Sequence, residues 1–298
     1  MRSTDCLFNF LRGAIPAPKV VVILPPTRIY RVSTTLAAIS EVVFQPASSA
    51  GSESIATGPR PTQLQPDSNR SLQAGELHIW LTQLDRSVEE ATSLKNLLSA
   101  DECARADRFK FERDRQRYVV GRGILRQILE EYTQCPAQQL CFAYGRRGKP
   151  SLPGSAFQFN MSHSGGLAAI AITSGRAIGI DLEHARSIPD WHRVMTCCFS
   201  NREQAAILEL PEEQQLAGFF TCWTRKEAYV KATGDGLSIP LERFTVAVEP
   251  NSHPCLLEVL DQPSDTTRWH FTNLPVADDY IGVVAHDGPI GSVVHQRW

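Results

Sequence analysis

The sequence lacks several features that mark common classes of protein. Its eight cysteines contain no C-x-x-C pair, so neither a zinc site nor a disulfide framework is indicated. No run of about 18 apolar residues occurs, and no segment is predicted to span a membrane. The formal net charge is only -2, which gives no broad basic surface for nucleic acid. These absences favour a cytoplasmic protein with reduced thiols that binds neither membrane nor nucleic acid.

The 298 residues divide into regions of different character. Residues 1–75 are rich in proline, serine and threonine and poor in acids, which predicts a disordered leader. A targeting segment and a mis-assigned start are both compatible with this composition. Beyond it, helical and strand patterns recur in two blocks, residues 76–175 and 176–298. The predicted fold class is therefore α+β, with two similar halves.

The stretch IGIDLEHAR places two carboxylates one residue apart after an apolar run. On a strand, alternate residues face the same side, so Asp181 and Glu183 share one surface while Ile180 and Leu182 face the core. Like charges this close favour a bound cation, and paired hard oxygen ligands suit Mg²⁺. Taken alone, the pattern is more typical of a solvated acidic strand end.

A helical pattern further along the chain adds two charged side chains. In CWTRKEAYVKATGDG, Glu227 and Lys231 lie at positions i and i+4, so a carboxylate and an ammonium share one helix face. By itself this spacing is typical of a surface ion pair. Gly234 is predicted to end the helix.

The stretch GRRGKPSLPGSAFQFNMSHSGG combines cations with small polar residues. Lys149 lies on a loop bounded by glycine and proline, and Ser162 and His163 precede glycines where a backbone can approach a phosphate. A Ser–His hydrolase is the alternative, but no G-x-S-x-G elbow is present and adjacent strand residues point apart. Phosphate contact is the better interpretation of His163.

A capped helix is predicted to start at Ser99, before the arginine-rich stretch RADRFKFERDRQRYVVGRG. Most of these arginines are interpreted as a solvated helix face with internal ion pairs. Some of them could reach a phosphate.

Taken in order, the motifs GKP, FNMSHSGG, IGIDLE, FSNREQ and WTRKEAYVKATGDGLS resemble those of the 4′-phosphopantetheinyl transferase superfamily, in its Sfp-like, single-chain branch. The resemblance covers about residues 76–298. It implies two halves packed as a pseudodimer within one monomeric chain. It also implies Mg²⁺-dependent transfer of phosphopantetheine from coenzyme A to a serine of an apo acyl or peptidyl carrier protein, with release of 3′,5′-ADP.

The resemblance assigns roles to the charged residues of the motifs. Asp181, Glu183 and Glu227 match the carboxylates that hold Mg²⁺, and Lys231 matches the lysine that neutralises the pyrophosphate. Glu203, in FSNREQ, matches a glutamate proposed as the base for the carrier serine. An acidic residue in the first turn of a helix is the alternative interpretation of Glu203.

A further set of residues matches positions that contact the nucleotide part of coenzyme A, namely Arg105, Arg117, Lys149, Ser162 and His163. Arg117 and His163 are matched to 3′-phosphate contacts. This chain departs from the pattern at Glu102, where some relatives carry a basic residue, and weaker discrimination against coenzyme A lacking that phosphate is expected.

Two choices stay open at the level of sequence. Either Glu203 or Glu227 could take the proton of the carrier serine, directly or through a metal-bound water. A nucleotide-binding module without catalysis and a Mg²⁺-dependent pyrophosphohydrolase are the alternative functions. Breakdown of coenzyme A without a carrier protein would distinguish the hydrolase.

Overall fold

The computed structural model of the protein describes residues 71–234, 239–250 and 252–298. All of these residues belong to one compact unit. The sequence predicts a disordered leader over residues 1–75. Residues 1–70 of this segment lie outside the described residues, and residues 71–75 lead directly into the first strand.

The first half combines one strand with three helices and two later pairs of strands. Its elements are β1 (Glu76–Gln83), α1 (Val88–Lys95), α2 (Ala100–Ala106), α3 (Glu112–Thr133), β2 (Ala143–Tyr144), β3 (Pro150–Ser151), β4 (Phe157–Ser164) and β5 (Leu167–Ser174). In the main sheet, β1 pairs antiparallel with β5, and β5 pairs antiparallel with β4.

The second half has its own three-stranded sheet. Its elements are β6 (Ile178–His184), α4 (Trp191–Cys198), α5 (Asn201–Glu209), α6 (Glu212–Thr233), β7 (Phe244–Val246), β8 (Leu256–Val259), α7 (Asp265–Arg268), β9 (Trp269–Asn273), β10 (Tyr280–Asp287) and β11 (Ser292–Arg297). Strand β10 pairs antiparallel with both β6 and β9. Strand β11 returns to the first sheet, where it lies parallel to β1.

The principal elements follow the same order in the two halves. Each half opens with a strand, continues through a short helix with a Ser–Glu capping box and a helix of 22 residues, and then adds two antiparallel strands to its own sheet. The strand order β1-β5-β4 corresponds to β6-β10-β9. The mixed α and β content predicted from the sequence is confirmed.

Helix ends follow the local signals in the sequence. Helix α2 begins after Ser99, whose backbone N–H donates to Glu102 in a capping box, as predicted. Helix α6 ends before Gly234, which has φ 80° in the left-handed region that glycine adopts without strain. Among the described helices, none combines the length and hydropathy needed to cross a bilayer.

Two local elements differ from the pattern of the sequence. The apolar stretch LCFAY (140–144) forms a strand only at Ala143–Tyr144, and the Leu140 carbonyl accepts a hydrogen bond from the Arg126 guanidinium. Helix α4 was not anticipated, since no side chain caps its start at Asp190.

The two sheets pack against each other through a shared apolar layer. Leu77 and Ile79 of β1 belong to the same buried cluster as Ile180 and Leu182 of β6, and all four side chains are fully buried. The prediction that Ile180 and Leu182 face the core is confirmed. Their burial directs the alternate residues of β6, Asp181 and Glu183, to the opposite side.

Gly179 allows α6 to lie directly against β6. A Cβ atom at this position would overlap the backbone of Ala228 and Ala232, which cannot move aside without displacing the helix. The close approach brings Glu227 and Lys231, on α6, near Asp181 on β6.

We expect Gly179→Ala to lower the free energy of unfolding by about 3 kcal/mol or more, because the added methyl must push α6 away from β6. Denaturant unfolding would measure the loss. Gly291→Ala is the matched control, since a Cβ there has only an ordinary contact, 3.7 Å from the Gly75 carbonyl. Equal stability of the two variants would contradict the close packing of strand and helix.

Candidate active site

A buried ion pair joins β6 to α6. The Lys231 ammonium lies 2.6 Å from Asp181 Oδ1, and the side chains are 16% and 0% exposed. Lys231 also donates to the Ile180 carbonyl at 3.1 Å and to Ser162 Oγ at 3.2 Å. Three elements, β4, β6 and α6, therefore fix the position of this ammonium.

Three buried carboxylates in this region each have one oxygen for which the described part of the chain provides no hydrogen-bond partner. These atoms are Asp181 Oδ2, Glu183 Oε1 and Glu227 Oε1. A buried carboxylate oxygen without a partner is costly, and hard anionic oxygens are the ligands that Mg²⁺ prefers. The three residues predicted to hold the metal thus have the chemistry for it. Within the described ranges, no three His, Cys, Asp or Glu side chains already converge on a point where a metal would sit.

Burial and like charge shift the protonation of two of these carboxylates. Burial raises the pKa of Glu183 to about 8, and the Asp181 carboxylate adds to the rise while Ser164 and Lys231 oppose it. Burial also raises the pKa of Glu227 to about 7, against the attraction of Lys231. Burial alone would lower the pKa of Lys231, but Asp181 and Glu227 outweigh it and raise that pKa. Both glutamates therefore hold protons more tightly than an exposed glutamate does.

Along one edge of β6, the backbone N–H groups donate to side chains of β4 and not to the backbone of a neighbouring strand. Asn160 Oδ1 accepts from the Ile180 N–H at 2.9 Å, Ser162 Oγ from Leu182, and Ser164 Oγ from His184 at 3.0 Å. The spacing of two residues on both strands keeps these pairs in register. This set of hydrogen bonds, the β4–β6 side-chain ladder, joins the sheets of the two halves.

The ladder also holds the carboxylates. Ser162 donates to Asp181 at 3.0 Å and Ser164 donates to Glu183 at 2.8 Å. The resemblance assigned Ser162 to the nucleotide, whereas the structure turns its hydroxyl toward Asp181. The sequence interpretation treated Ser164, like Ser162, as a small donor near a phosphate, and it did not anticipate the contacts that Ser164 and Asn160 make with β6. Both residues share one strand face with Ser162 in FNMSHS.

A cleft of about 530 Å³ opens beside Glu227 and Lys231. Of the residues predicted for nucleotide binding, Arg105 and Lys149 line it. Its other charged and polar lining residues are Tyr118, Arg122, Tyr144, Arg146, Arg147 and Asn160. The wall is therefore strongly basic, and it suits an anionic ligand.

Lys149 holds backbone carbonyls of the second half. Its ammonium donates to the carbonyls of Ile178 and Lys231, both at 2.7 Å, and to that of Ala232 at 3.4 Å. Burial lowers the pKa of Lys149 to about 8. The loop of the first half thus binds the start of β6 and the last turn of α6 together.

Arg117 and His163 are absent from the residues that line the cleft. The Arg117 guanidinium makes two hydrogen bonds of 2.7 Å to Asp85, and this pairing raises the pKa of Arg117. His163 is half-buried, and its burial lowers its pKa. The structure therefore does not bring these two residues to the basic wall, and their 3′-phosphate contact stays a prediction.

Glu203 is fully engaged in structural contacts. Its Oε2 accepts from the Ser200 N–H at 2.7 Å and pairs with Lys226 at 2.8 Å, and its Oε1 accepts from the Val246 N–H at 2.8 Å. With 1% exposure and no free oxygen, this geometry favours the capping interpretation of Glu203 over the base.

Comparisons with known proteins find relatives of one family. Residues 85–175 match the family described as 4′-phosphopantetheinyl transferase, N-terminal, and residues 177–285 match the 4′-phosphopantetheinyl transferase superfamily. The chain is 39% identical over 224 residues to 4′-phosphopantetheinyl transferase HetI of Nostoc sp., covering 74% of this chain and 91% of that protein. It is 28% identical over 186 residues to 4′-phosphopantetheinyl transferase Sfp of Bacillus subtilis, covering 59% and 82%.

Together with the buried carboxylates and the basic cleft, these matches define the protein as an enzyme of the transferase class. The chain belongs to the 4′-phosphopantetheinyl transferase superfamily, in its Sfp-like branch. The family that the ordered motifs predicted is confirmed.

We expect the metal-free protein to lose thermal stability between pH 6.5 and 8. The pKa values of Glu183 and Glu227 are raised to about 8 and about 7 in the folded state, so the folded protein retains protons that the unfolded chain releases. Stability from these groups is then largest at acidic pH and falls as pH rises through the folded pKa values. The midpoint of thermal unfolding should drop by roughly 5 °C over this window.

Glu183→Gln should flatten this dependence, whereas Glu209→Gln, at an exposed position on α5, should leave it unchanged. Added Mg²⁺ should raise the midpoint more at pH 8 than at pH 6.5, since ligation requires ionised carboxylates. A midpoint that is constant between pH 6.5 and 8 would refute the assignment of buried, proton-retaining carboxylates.

We expect Lys149→Met to lower the free energy of unfolding by about 1–3 kcal/mol, because three carbonyl oxygens lose their donor. Arg146→Met, on the same loop with an exposed side chain, is the control in a denaturant titration. If Lys149→Met leaves stability unchanged but weakens coenzyme A binding, Lys149 contacts the substrate and does not stabilise the fold.

Proposed function

We propose that the protein transfers the 4′-phosphopantetheine group from coenzyme A to a serine of an apo acyl or peptidyl carrier protein, in a Mg²⁺-dependent reaction that releases 3′,5′-ADP. The observation that carries this proposal is the set of three neighbouring buried carboxylates, each with one oxygen that has no hydrogen-bond partner among the described residues. Of these three, Glu227 lines the basic cleft together with Lys231. The names of the relatives, 4′-phosphopantetheinyl transferases, support the reaction type.

Asp181, Glu183 and Glu227 would hold Mg²⁺ through their free oxygens. When bound, the metal supplies positive charge for the pyrophosphate of coenzyme A. The arginines and Tyr144 of the cleft wall would bind and orient the nucleotide, so that positioning provides a large part of the rate. Lys231 would lie beside the developing negative charge and stabilise it.

The serine oxygen of the carrier attacks the β-phosphorus, and the bond to the 3′,5′-ADP leaving group breaks. Of the two candidate bases, Glu227 faces the cleft and has a free oxygen, whereas both oxygens of Glu203 accept hydrogen bonds. We therefore assign the proton transfer to Glu227.

The repeated order of elements supports a further part of the proposal, that the halves at residues 76–175 and 176–298 form a pseudodimer within one monomeric chain. Only the second half carries the metal carboxylates. At the corresponding place on α3, Gln127 and Glu131 stand 100 positions before Glu227 and Lys231. The first half would thus contribute most of the basic wall and the second half the chemistry, and we assign the protein to the cytoplasm.

The intact mass of an apo carrier protein, incubated with the enzyme, coenzyme A and Mg²⁺, tests the proposal. The carrier should gain the mass of one phosphopantetheine, and EDTA should prevent the gain. Asp181→Asn should reduce the rate by about 10²-fold or more, since it removes the charge that pairs with Lys231. Asp261→Asn, at an exposed ion pair, is the matched control and should retain full activity.

Consumption of coenzyme A without any gain in carrier mass would replace this proposal with a pyrophosphohydrolase. No gain with coenzyme A intact, across carriers from several pathways, would replace it with a binding module. Full activity of Asp181→Asn in Mg²⁺ would contradict the assignment of Asp181 as a metal ligand but would leave the proposed transfer reaction intact.

A further inference from the structure

A buried ion pair lies next to Glu227 on α6. Lys226 is fully buried and donates to Glu203 at 2.8 Å and to the carbonyls of Leu241 at 2.7 Å and Phe244 at 2.6 Å. An ammonium has three N–H donors, and each of them has an acceptor here. Lys226 therefore connects α6 to the start of α5 and to the segment that enters β7.

The first half contains the same arrangement. Glu102 lies at the third position of α2, as Glu203 does in α5, and it accepts from the Ser99 N–H at 2.9 Å. Arg126 of α3 donates to Glu102 at 2.7 Å and to the carbonyls of Ala137 at 2.6 Å and Leu140 at 3.1 Å. A capping glutamate, a cation on the 22-residue helix and two carbonyls beyond that helix are thus common to both halves.

The presence of this Glu–cation arrangement in both halves shows whether Glu203 and Lys226 have a structural or a chemical role. In the first half the residue after the cation is Gln127, and strand β1, ELHIWLTQ, has no Asp–x–Glu pair. The buried Glu–cation pair is therefore present where no metal carboxylates accompany it. A feature that persists without the reactive groups serves the packing of the helix.

We infer that Glu203 and Lys226 are a positioning pair, which holds α6 so that Glu227 and Lys231 face Asp181, and that Glu203 is not the base for the carrier serine. The kinetic part of this inference depends on the proposed transferase reaction, whereas its structural part does not. Loss of one partner leaves the other charge buried without compensation, which destabilises a fold strongly.

The first measurement compares the thermal unfolding of Glu203→Gln with that of Glu102→Gln, the matched variant in the other half. Both should lower the midpoint by roughly 10 °C, because Glu203→Gln leaves the buried Lys226 without its carboxylate, and Glu102→Gln does the same to Arg126 and to Arg122, which also pairs with Glu102. An unchanged midpoint for Glu203→Gln would overturn the inference, whatever its activity. This readout stands even if the wild-type protein modifies no carrier, in which case the proposed function alone fails.

The second measurement follows kcat, KM for coenzyme A and the pH dependence of kcat/KM, below the unfolding range of each variant. Glu203→Gln should reduce kcat about tenfold, leave KM for coenzyme A within about twofold, and preserve the apparent pKa of the acidic limb, because the base is still present. A loss of about 10³-fold in kcat at unchanged thermal stability, with disappearance of the acidic limb, would make Glu203 the base.

The double variant Glu203→Gln/Lys226→Gln provides a test by rescue. It removes both charges and keeps amide donors for the two carbonyls, so thermal stability and kcat should recover toward wild type relative to Glu203→Gln. A base is not restored by removing its neighbouring cation. If Glu203→Gln fails to fold, the folded double variant is decisive: activity within about tenfold of wild type supports the positioning pair, and a loss of about 10³-fold contradicts it.

Discussion

The burial of three carboxylates at one place is the constraint on which the site depends. Ionised carboxylates in a poorly solvated region repel one another, and only a cation or a proton relieves the cost. Lys231 is a cation of this kind, and it pairs with Asp181. The pKa values of Glu183 and Glu227 are raised, so these two carboxylates tend to retain a proton. A divalent metal would take the place of those protons, so metal binding and protonation of the carboxylates compete with each other.

Contacts between the halves keep this unfavourable cluster in place. The β4–β6 side-chain ladder satisfies backbone N–H groups of β6 and at the same time orients Asp181 and Glu183 through Ser162 and Ser164. Lys149 adds a second connection from the first half, to β6 and to the last turn of α6. The first half is therefore a support for the reactive groups of the second as well as a wall of the cleft.

Features that depend on local geometry were predictable from the sequence. Alternation on β6 put Asp181 and Glu183 on one side, helical spacing put Glu227 and Lys231 on one face, and Ser99 and Gly234 marked helix ends, all as the structure has them. Each of these depends on a few neighbouring residues and a fixed backbone period. The order of motifs was also sufficient for the family.

The partners of the polar side chains were decided by the tertiary structure alone. Ser162 contacts Asp181, Lys149 contacts carbonyls of β6 and α6, Arg117 pairs with Asp85, and Glu203 pairs with Lys226. These partners lie between 19 and 83 positions apart in the chain. No local period relates such positions, and the same hydroxyl, ammonium or carboxylate could equally bind a ligand. The sequence by itself determined which chemical groups the protein carries and which face of each element they occupy, whereas packing of the two halves decided which of them stay free for a substrate.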